Sequence, residues 1–258
     1  IGKFETNNVE IISNTSDASA GLWLSHANDD FSLSGITLAY NKGSTIVGHY
    51  TYGSNKYNLS KSSIYNNENT DYAINAMGGS IIDKSNFFGN KRALYNSVGP
   101  NMVTAENNYW GDSSGPYHPS QNTSGSGDST SSIVDVDPWL TLPNTDAPPI
   151  PPQNLKLDSQ TVTSATFSWG ASNMSDLAGY KFYYDTDSSG YPYANSVDLG
   201  NVVTKSLTGL TTGKTYYVAV TTYDTDGNES WYSKEVVVQL NNTPVIASVS
   251  DITVLEDG

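Results

Sequence analysis

The stretch Asn107-Asn108-Tyr109-Trp110-Gly111-Asp112, followed about 25 residues later by Val136-Asp137-Pro138-Trp139-Leu140, divides this chain into two unlike halves. Before it, short apolar blocks recur at intervals. After it, a proline-dense segment leads into a run of alternating strands. Aromatic residues beside glycine at this point suit a lid. The last turn of a stacked array exposes unpaired backbone and apolar side chains, and something must cover them. Trp110, Ile133, Val134, Trp139 and Leu140 are the candidates, each contributing about 1.5–3 kcal/mol once buried. Within this lid, Ser120 to Ser132 is nearly all Ser, Thr, Gly and Asn and reads as a mobile loop.

Upstream, the blocks beginning at Ile11, Leu38, Ile64, Phe87 and Tyr109 each start with an apolar or aromatic residue and end with Asn or Asp. They are spaced 22 to 27 residues apart. A second short strand follows most of them (Gly21–Leu24, Thr45–Val47, Ala73–Ala76, Ala93–Asn96). A third precedes the next block (Phe31–Leu33, Tyr57–Leu59, Ser80–Ile82, Met102–Thr104). Three short strands per repeat with no helix between them is the pattern of a parallel β-helix, in which every second residue points inward and stacks on its equivalents. Asn14, Asn41, Asn67 and Asn90 share one corner. Asn tolerates the left-handed conformation a tight corner needs, and its amide can bond to the next coil, forming a ladder.

The ending resembles that of the right-handed parallel β-helix repeat proteins of bacterial surfaces. Their last coil commonly carries Asn-Asn-Trp-Trp-Gly, then Gly-Pro, Gly-Asp and Pro-Trp-Leu. The counterparts are Asn107 to Gly111, Gly115-Pro116, Gly127-Asp128 and Pro138-Trp139-Leu140, with Tyr109 in place of the first Trp. The resemblance implies the fold and says almost nothing about activity. It sets residues 1–142 as a few coils plus a C-terminal cap.

Residues 143–152 form a Pro-rich linker, which favours extended, semi-rigid chain. From 153 to 241, seven short strands (154–157, 165–169, 180–184, 196–199, 204–207, 216–223 and 235–240) point to an antiparallel sandwich. This segment resembles a fibronectin type III domain. Trp169 looks like that family's core Trp, and Leu210, Gly213 and Tyr216 fit its Leu…Pro-Gly…Tyr pattern, with Thr212 where Pro is usual. Tyr216 would be the tyrosine-corner residue. The resemblance implies a spacer or interaction module. The tail, 242–258, resembles the first strand of a cadherin-like or immunoglobulin-like repeat, and one strand cannot fold alone. The expected fold class is all-β.

Composition narrows the function. The chain has 258 residues, a net charge of −14, 15% charged residues, no cysteine and a single arginine, Arg92. A nucleic-acid partner needs a basic stripe, and none is present. No apolar run approaches the roughly 18 residues of a membrane span. Low charge with much Ser, Thr, Asn and Tyr fits an extracellular or cell-surface protein.

Two loops resemble calcium loops. Asp185, Asp187 and Ser189 place oxygen donors at alternate positions before Gly190, as do Asp224, Asp226 and Asn228 farther on. Ser196 and Glu235 stand at the respective twelfth positions, and Glu229 stands where the second loop needs Gly. The competing reading of both is a polar hairpin turn. In a type III sandwich the two lie at opposite ends. Asp112, Asp128, Asp135 and Asp137 near the cap are a third acidic group. Tyr50, Tyr52 and Tyr57 could stack on sugar rings or pack along the coil. For catalysis, Arg92 and nearby lysines, or Asp29, Asp30, Asp71 and Asp83, supply the residue types that polysaccharide lyases and hydrolases use, but without a recognisable motif. The expected function is a non-catalytic, modular surface protein with a structural, adhesive or filament-forming role. Its expected partners are copies of itself or surface polysaccharide. The alternatives are an accessory part of a polysaccharide lyase or hydrolase, and a carbohydrate-binding module.

Overall fold

The structure, a computed structural model, describes residues 4–7, 9–24, 31–49, 56–69, 71–96 and 100–241. They contain strands and turns and no helix. In the N-terminal half the strands join parallel sheets in which each strand pairs with its counterpart one period later. One sheet runs Phe4–Asn7, Phe31–Ser34, Tyr57–Ser60, Ile81–Asp83, Val103–Thr104 and Val134–Asp135. A second runs Glu10–Ile12, Thr37–Ala39, Ser63–Tyr65 and Asn86–Phe88. A third runs Ser19–Leu24, Thr45–His49, Ile74–Ala76, Arg92–Asn96 and Ser129–Thr130.

In the second sheet Ile11, Leu38, Ile64 and Phe87 lie in register and are part of one apolar core. Trp110 continues that stack. Its ring lies 4.6 Å from Phe87 at 13°, and it is fully buried. Glycines make the lid possible. A Cβ on Gly115 would lie 2.5 Å from the Trp139 ring, and one on Gly127 would overlap the Trp110 carbonyl.

Two polar ladders hold the corners. The main-chain N and Nδ2 of Asn14 both donate to Asn41 Oδ1, at 3.0 Å each. Asn41 donates in the same way to Asn67, and Asn67 to Asn90. The left-handed residue at this corner is the one before each Asn: Ser13, Tyr40, Asn66 and Gly89 all have positive φ. The sequence placed the strain one residue late. The Asn side chain is kept for the ladder, and its neighbour makes the turn.

The ladder ends on Asp128. Its carboxylate accepts Asn90 Nδ2 at 2.8 Å, Asn90 N at 3.0 Å and Lys91 N at 3.1 Å. A terminal rung has only to accept, and an ionised carboxylate offers acceptors alone. The serine-rich segment expected as a loose loop is therefore a structured insertion that delivers Asp128. Asn122 Nδ2 also ties it to Ser114 O, and Gln121 ties it to Asp135 and Val136. At a second corner, Ile36 N donates to Ser62 Oγ, Ser62 N to Ser85 Oγ, and Ser85 N to Asn108 Oδ1.

The C-terminal half is an antiparallel sandwich. Lys156–Gln160, Ser164–Ser168 and Thr204–Thr208 form one sheet, and Asn195–Gly200, Leu177–Asp185, Thr215–Asp224 and Val236–Gln239 the other. Phe167, Trp169, Tyr180, Phe182, Val218 and Val220 fill it. The Tyr216 hydroxyl accepts Thr211 N at 2.9 Å, five residues upstream, as a tyrosine corner does.

The halves do not hang apart. In the second parallel sheet the outward row Ile12, Ala39, Tyr65 and Phe88 is also apolar. Ile150 and Trp231 pack on it. The neighbouring row holds the linker. Ser63 Oγ donates to Pro148 O, Asn86 exchanges hydrogen bonds with the main chain of Asn144, and Lys61 pairs with Asp146 at 3.1 Å. The sheet is covered on both faces, so its strands lack polar alternation.

Candidate functional site

Docking creates a seam along the left-handed corner. On the coil side stand Ser13, Tyr40, Asn66 and Gly89. On the sandwich side two loops supply aromatic residues. Tyr191 and Tyr193 lie between the strands Leu177–Asp185 and Asn195–Gly200, and Trp231 and Tyr232 lie before Val236–Gln239. The rings of Tyr191, Trp231 and Tyr232 are 5.3 to 5.7 Å apart, centroid to centroid. At that spacing they touch one another, so no cation fits between them, and they form a solid platform.

Two carboxylates fix the platform. Glu235 accepts Tyr193 Oη at 2.8 Å, Gly190 N at 2.7 Å and Ser189 Oγ. Glu229 accepts Tyr183 Oη, Lys181 Nζ and Thr221 Oγ1, each at 2.6 Å. Burial, reinforced by the adjoining carboxylate, holds the Tyr193 and Tyr183 phenols far above their ordinary value. Both hydroxyls remain donors at any physiological pH.

Three cavities follow the seam. One of about 620 Å³ lies between the first coil and Trp231. The next, about 260 Å³, is bounded by Tyr40, Tyr191, Trp231 and Lys234. The third, about 700 Å³, shares Tyr40 and Lys234 with the second and adds Lys42, Lys91, Asn66 and Gln153.

The residues singled out from the sequence stand as follows. Tyr50 and Tyr52 fall outside the described residues. Tyr57 opens the strand Tyr57–Ser60, opposite Phe31, and its side chain falls outside them too. Asp185 accepts Ala194 N at 2.6 Å and Thr186 N at 2.6 Å. These backbone donors, Ala194 foremost, hold its carboxyl below the usual range. Asp187 accepts from Ser188, and Ser189 turns to Glu235. Asp224 accepts Asp226 N, Asn228 N and Asn228 Nδ2. The two loops sit at opposite ends of the paired strands Leu177–Asp185 and Thr215–Asp224. In each triplet the first aspartate accepts backbone N–H groups of its own turn. Among the described residues no cluster of three His, Cys, Asp or Glu side chains is placed to hold a metal.

Near the cap, Asp112 caps Ser114, Asp135 receives Gln121, and Asp128 ends the ladder. The seam itself was missed from the sequence. Its only local signal is the density of aromatics at Tyr191-Pro192-Tyr193 and Trp231-Tyr232.

Residues 150–239 match the family model of the fibronectin type III domain. Solved structures similar to this chain include the chicken CNTN1 FN1–FN3 domains, at 16% identity and a TM-score of 0.34, covering 37% of this chain. The chain spans 32% of that structure's length. The third fibronectin III domain of human KIAA0343 protein is similar at 22% identity and a TM-score of 0.32, covering 40% of this chain and 90% of that one. A structure described as "Myokine structure" is similar at 19% identity and 0.32, covering 36% and 99%. No curated protein matches the chain. The sandwich is a fibronectin type III domain. Such domains are typical of modular cell-surface or extracellular proteins.

Proposed function

We propose that this is a non-catalytic, modular protein of the extracellular space or cell surface with a structural and adhesive role. In this reading residues 1–142 are a right-handed parallel β-helix with its C-terminal cap, and the type III domain is a fixed flank. The observation that carries it is the docking. The apolar row Ile12, Ala39, Tyr65 and Phe88 lies under Ile150 and Trp231, with the linker pinned beside it. Two units fastened in this way present one rigid surface, which suits adhesion better than a swinging spacer does. The partners are surface polysaccharide and further copies of the chain.

The test measures binding to purified surface polysaccharides, with light scattering and electron microscopy to detect self-association. Binding or assembly without cleavage is the expected result. Cleavage of a polyuronate by this chain would overturn the reading and favour a lyase or hydrolase.

A further inference from the structure

We infer that His118 is an acid-sensitive latch: a second proton on its buried imidazole releases the segment 113–128 from the end of the parallel sheets. This device does not depend on the adhesive reading. The ring is fully buried. Its Nδ1 accepts Gln121 N at 2.8 Å and Ser120 N at 3.2 Å. Two N–H groups aimed at one ring nitrogen require a lone pair there, so the folded ring carries its single proton on Nε2. Nε2 is itself buried and faces the carbonyls of Val134 and Ser131 without a well-formed hydrogen bond to either. The second proton can go only to Nδ1. There it would point at two donors, and both hydrogen bonds would break.

Much hangs on those two bonds. His118 closes a tight loop, its own N donating to Asn122 O at 2.9 Å. From that loop Gln121 Nε2 reaches Asp135 Oδ1 at 2.9 Å, Gln121 Oε1 accepts Val136 N at 3.0 Å, and Asn122 Nδ2 reaches Ser114 O at 2.7 Å. Beside it Tyr117 O accepts Thr130 N at 3.0 Å, and Pro116 bridges to Gly127, the residue before Asp128. Opening the loop therefore loosens the carboxylate on which the asparagine ladder ends. It also bares the outer edge of Arg92–Asn96, which Ser129–Thr130 covers, and an unpaired edge invites another strand.

The charges around the ring do not hold the cation in place. Among the described residues, Asp135 is the carboxylate that acts on His118, and it favours the charged form. Asp112 and Asp128, on the same segment, are bound to Ser114 and Asn90. Burial outweighs the pull of Asp135 and of the Val134 and Ser131 carbonyls, so the folded ring takes its second proton below the ordinary 6.5. Once open and in water the ring titrates near about 6.5. Acid thus favours the open form.

The experiment is amide hydrogen exchange on the whole chain from about pH 7.5 to about pH 5, corrected for the intrinsic pH dependence of exchange. A ring that is charged only when open raises the opening constant by up to about tenfold per pH unit below 6.5, or about thirtyfold over this range. The rise is expected at Gln121, Ser120, Thr130, Asn90 and Lys91, and not at Val218 or Val220 in the sandwich core. His118→Asn places an acceptor oxygen where Nδ1 lies and cannot take the proton, so its exchange at the same amides should stay flat. Should Asn fail to close the loop at neutral pH, the native ring still decides. Nitrogen NMR should show Nδ1 unprotonated at neutral pH and protonated only below 6.5. A proton on Nδ1 at neutral pH, a flat exchange profile in the native protein, or the same rise in His118→Asn overturns the inference.

Discussion

Removing the last rung of the asparagine ladder tests the architecture of the N-terminal half at one atom pair. Asp128 is 7% exposed and Asn90 1%. Asp128→Ala strands three donors: Asn90 N–H, Asn90 Nδ2–H and Lys91 N–H. A stranded buried donor costs about 1–3 kcal/mol. Part of that is returned because a desolvated carboxylate disappears. A net loss of about 3 kcal/mol follows. Asp128→Asn keeps the shape and one acceptor oxygen, but its amide N–H must face either Asn90 Nδ2, now at 2.8 Å, or the backbone donors at 3.0 to 3.1 Å. One mismatch costs about 1–2 kcal/mol.

The assay is equilibrium urea unfolding followed by tryptophan fluorescence, since Trp110 is buried against Phe87 close to the ladder's end. The expected order of stability is native, then Asn, then Ala. The pH dependence adds a second reading. Burial pushes the Asp128 carboxyl above its ordinary 3.8, against the pull of the Asn90, Lys91 and Gly89 donors. The folded chain then holds this proton more tightly than the unfolded one. Stability from this group is full below pH 3.8 and falls as pH rises through the raised value. The native protein should lose ground to Asp128→Asn over that window and still lead at pH 7. An Asn variant as stable as the native protein at pH 7 would refute the ladder argument, because the mismatched amide N–H would then cost nothing.

His118 is fully buried, and its Nδ1 accepts Gln121 N at 2.8 Å and Ser120 N at 3.2 Å. Burial holds it below 6.5, so its contribution is full above that pH and fades as pH falls; His118→Leu should flatten the acid limb of a thermal-stability profile. Trp231→Ala should remove about 2 kcal/mol of docking, seen as faster hydrogen exchange at Tyr65 and as a larger radius in small-angle scattering. An unchanged exchange rate would mean that the linker contacts alone hold the domains. Asp224→Ala should cost about 1–2 kcal/mol in calcium-free buffer, because the carboxylate caps its own turn. A loss seen only with calcium present would instead support ion binding by Asp224, Asp226 and Asn228.

Much of the fold was legible because it is written in local periodicity. The blocks at Ile11, Leu38, Ile64 and Phe87 pair in the register their spacing gives. Trp169 and Tyr216 stand in the sandwich core as the strand pattern requires. The asparagine ladder was also readable, since a repeated amide can both donate and accept, although the turn itself belongs to the residue before each Asn. The ladder's end was not. Asp128 follows Asn90 by 38 residues, and no repeat period reaches across that insertion.

The seam was least legible. Alternation tells which side chains leave a strand on a given face, but not whether water or protein waits there. Ile12, Ala39, Tyr65 and Phe88 are outward residues, of which Ala39 and Tyr65 are buried and Ile12 and Phe88 half-buried where Ile150 and Trp231 arrive from sequence positions far downstream. Tyr40, Lys91 and Lys234 come to border one cavity for the same reason. The sequence by itself determined the parallel register of the repeat, the sandwich and the repeated asparagines, each built from neighbours or from a fixed period. The tertiary structure alone decided the site, because it lies between two units whose contact depends on how their surfaces fit and on no period in the chain.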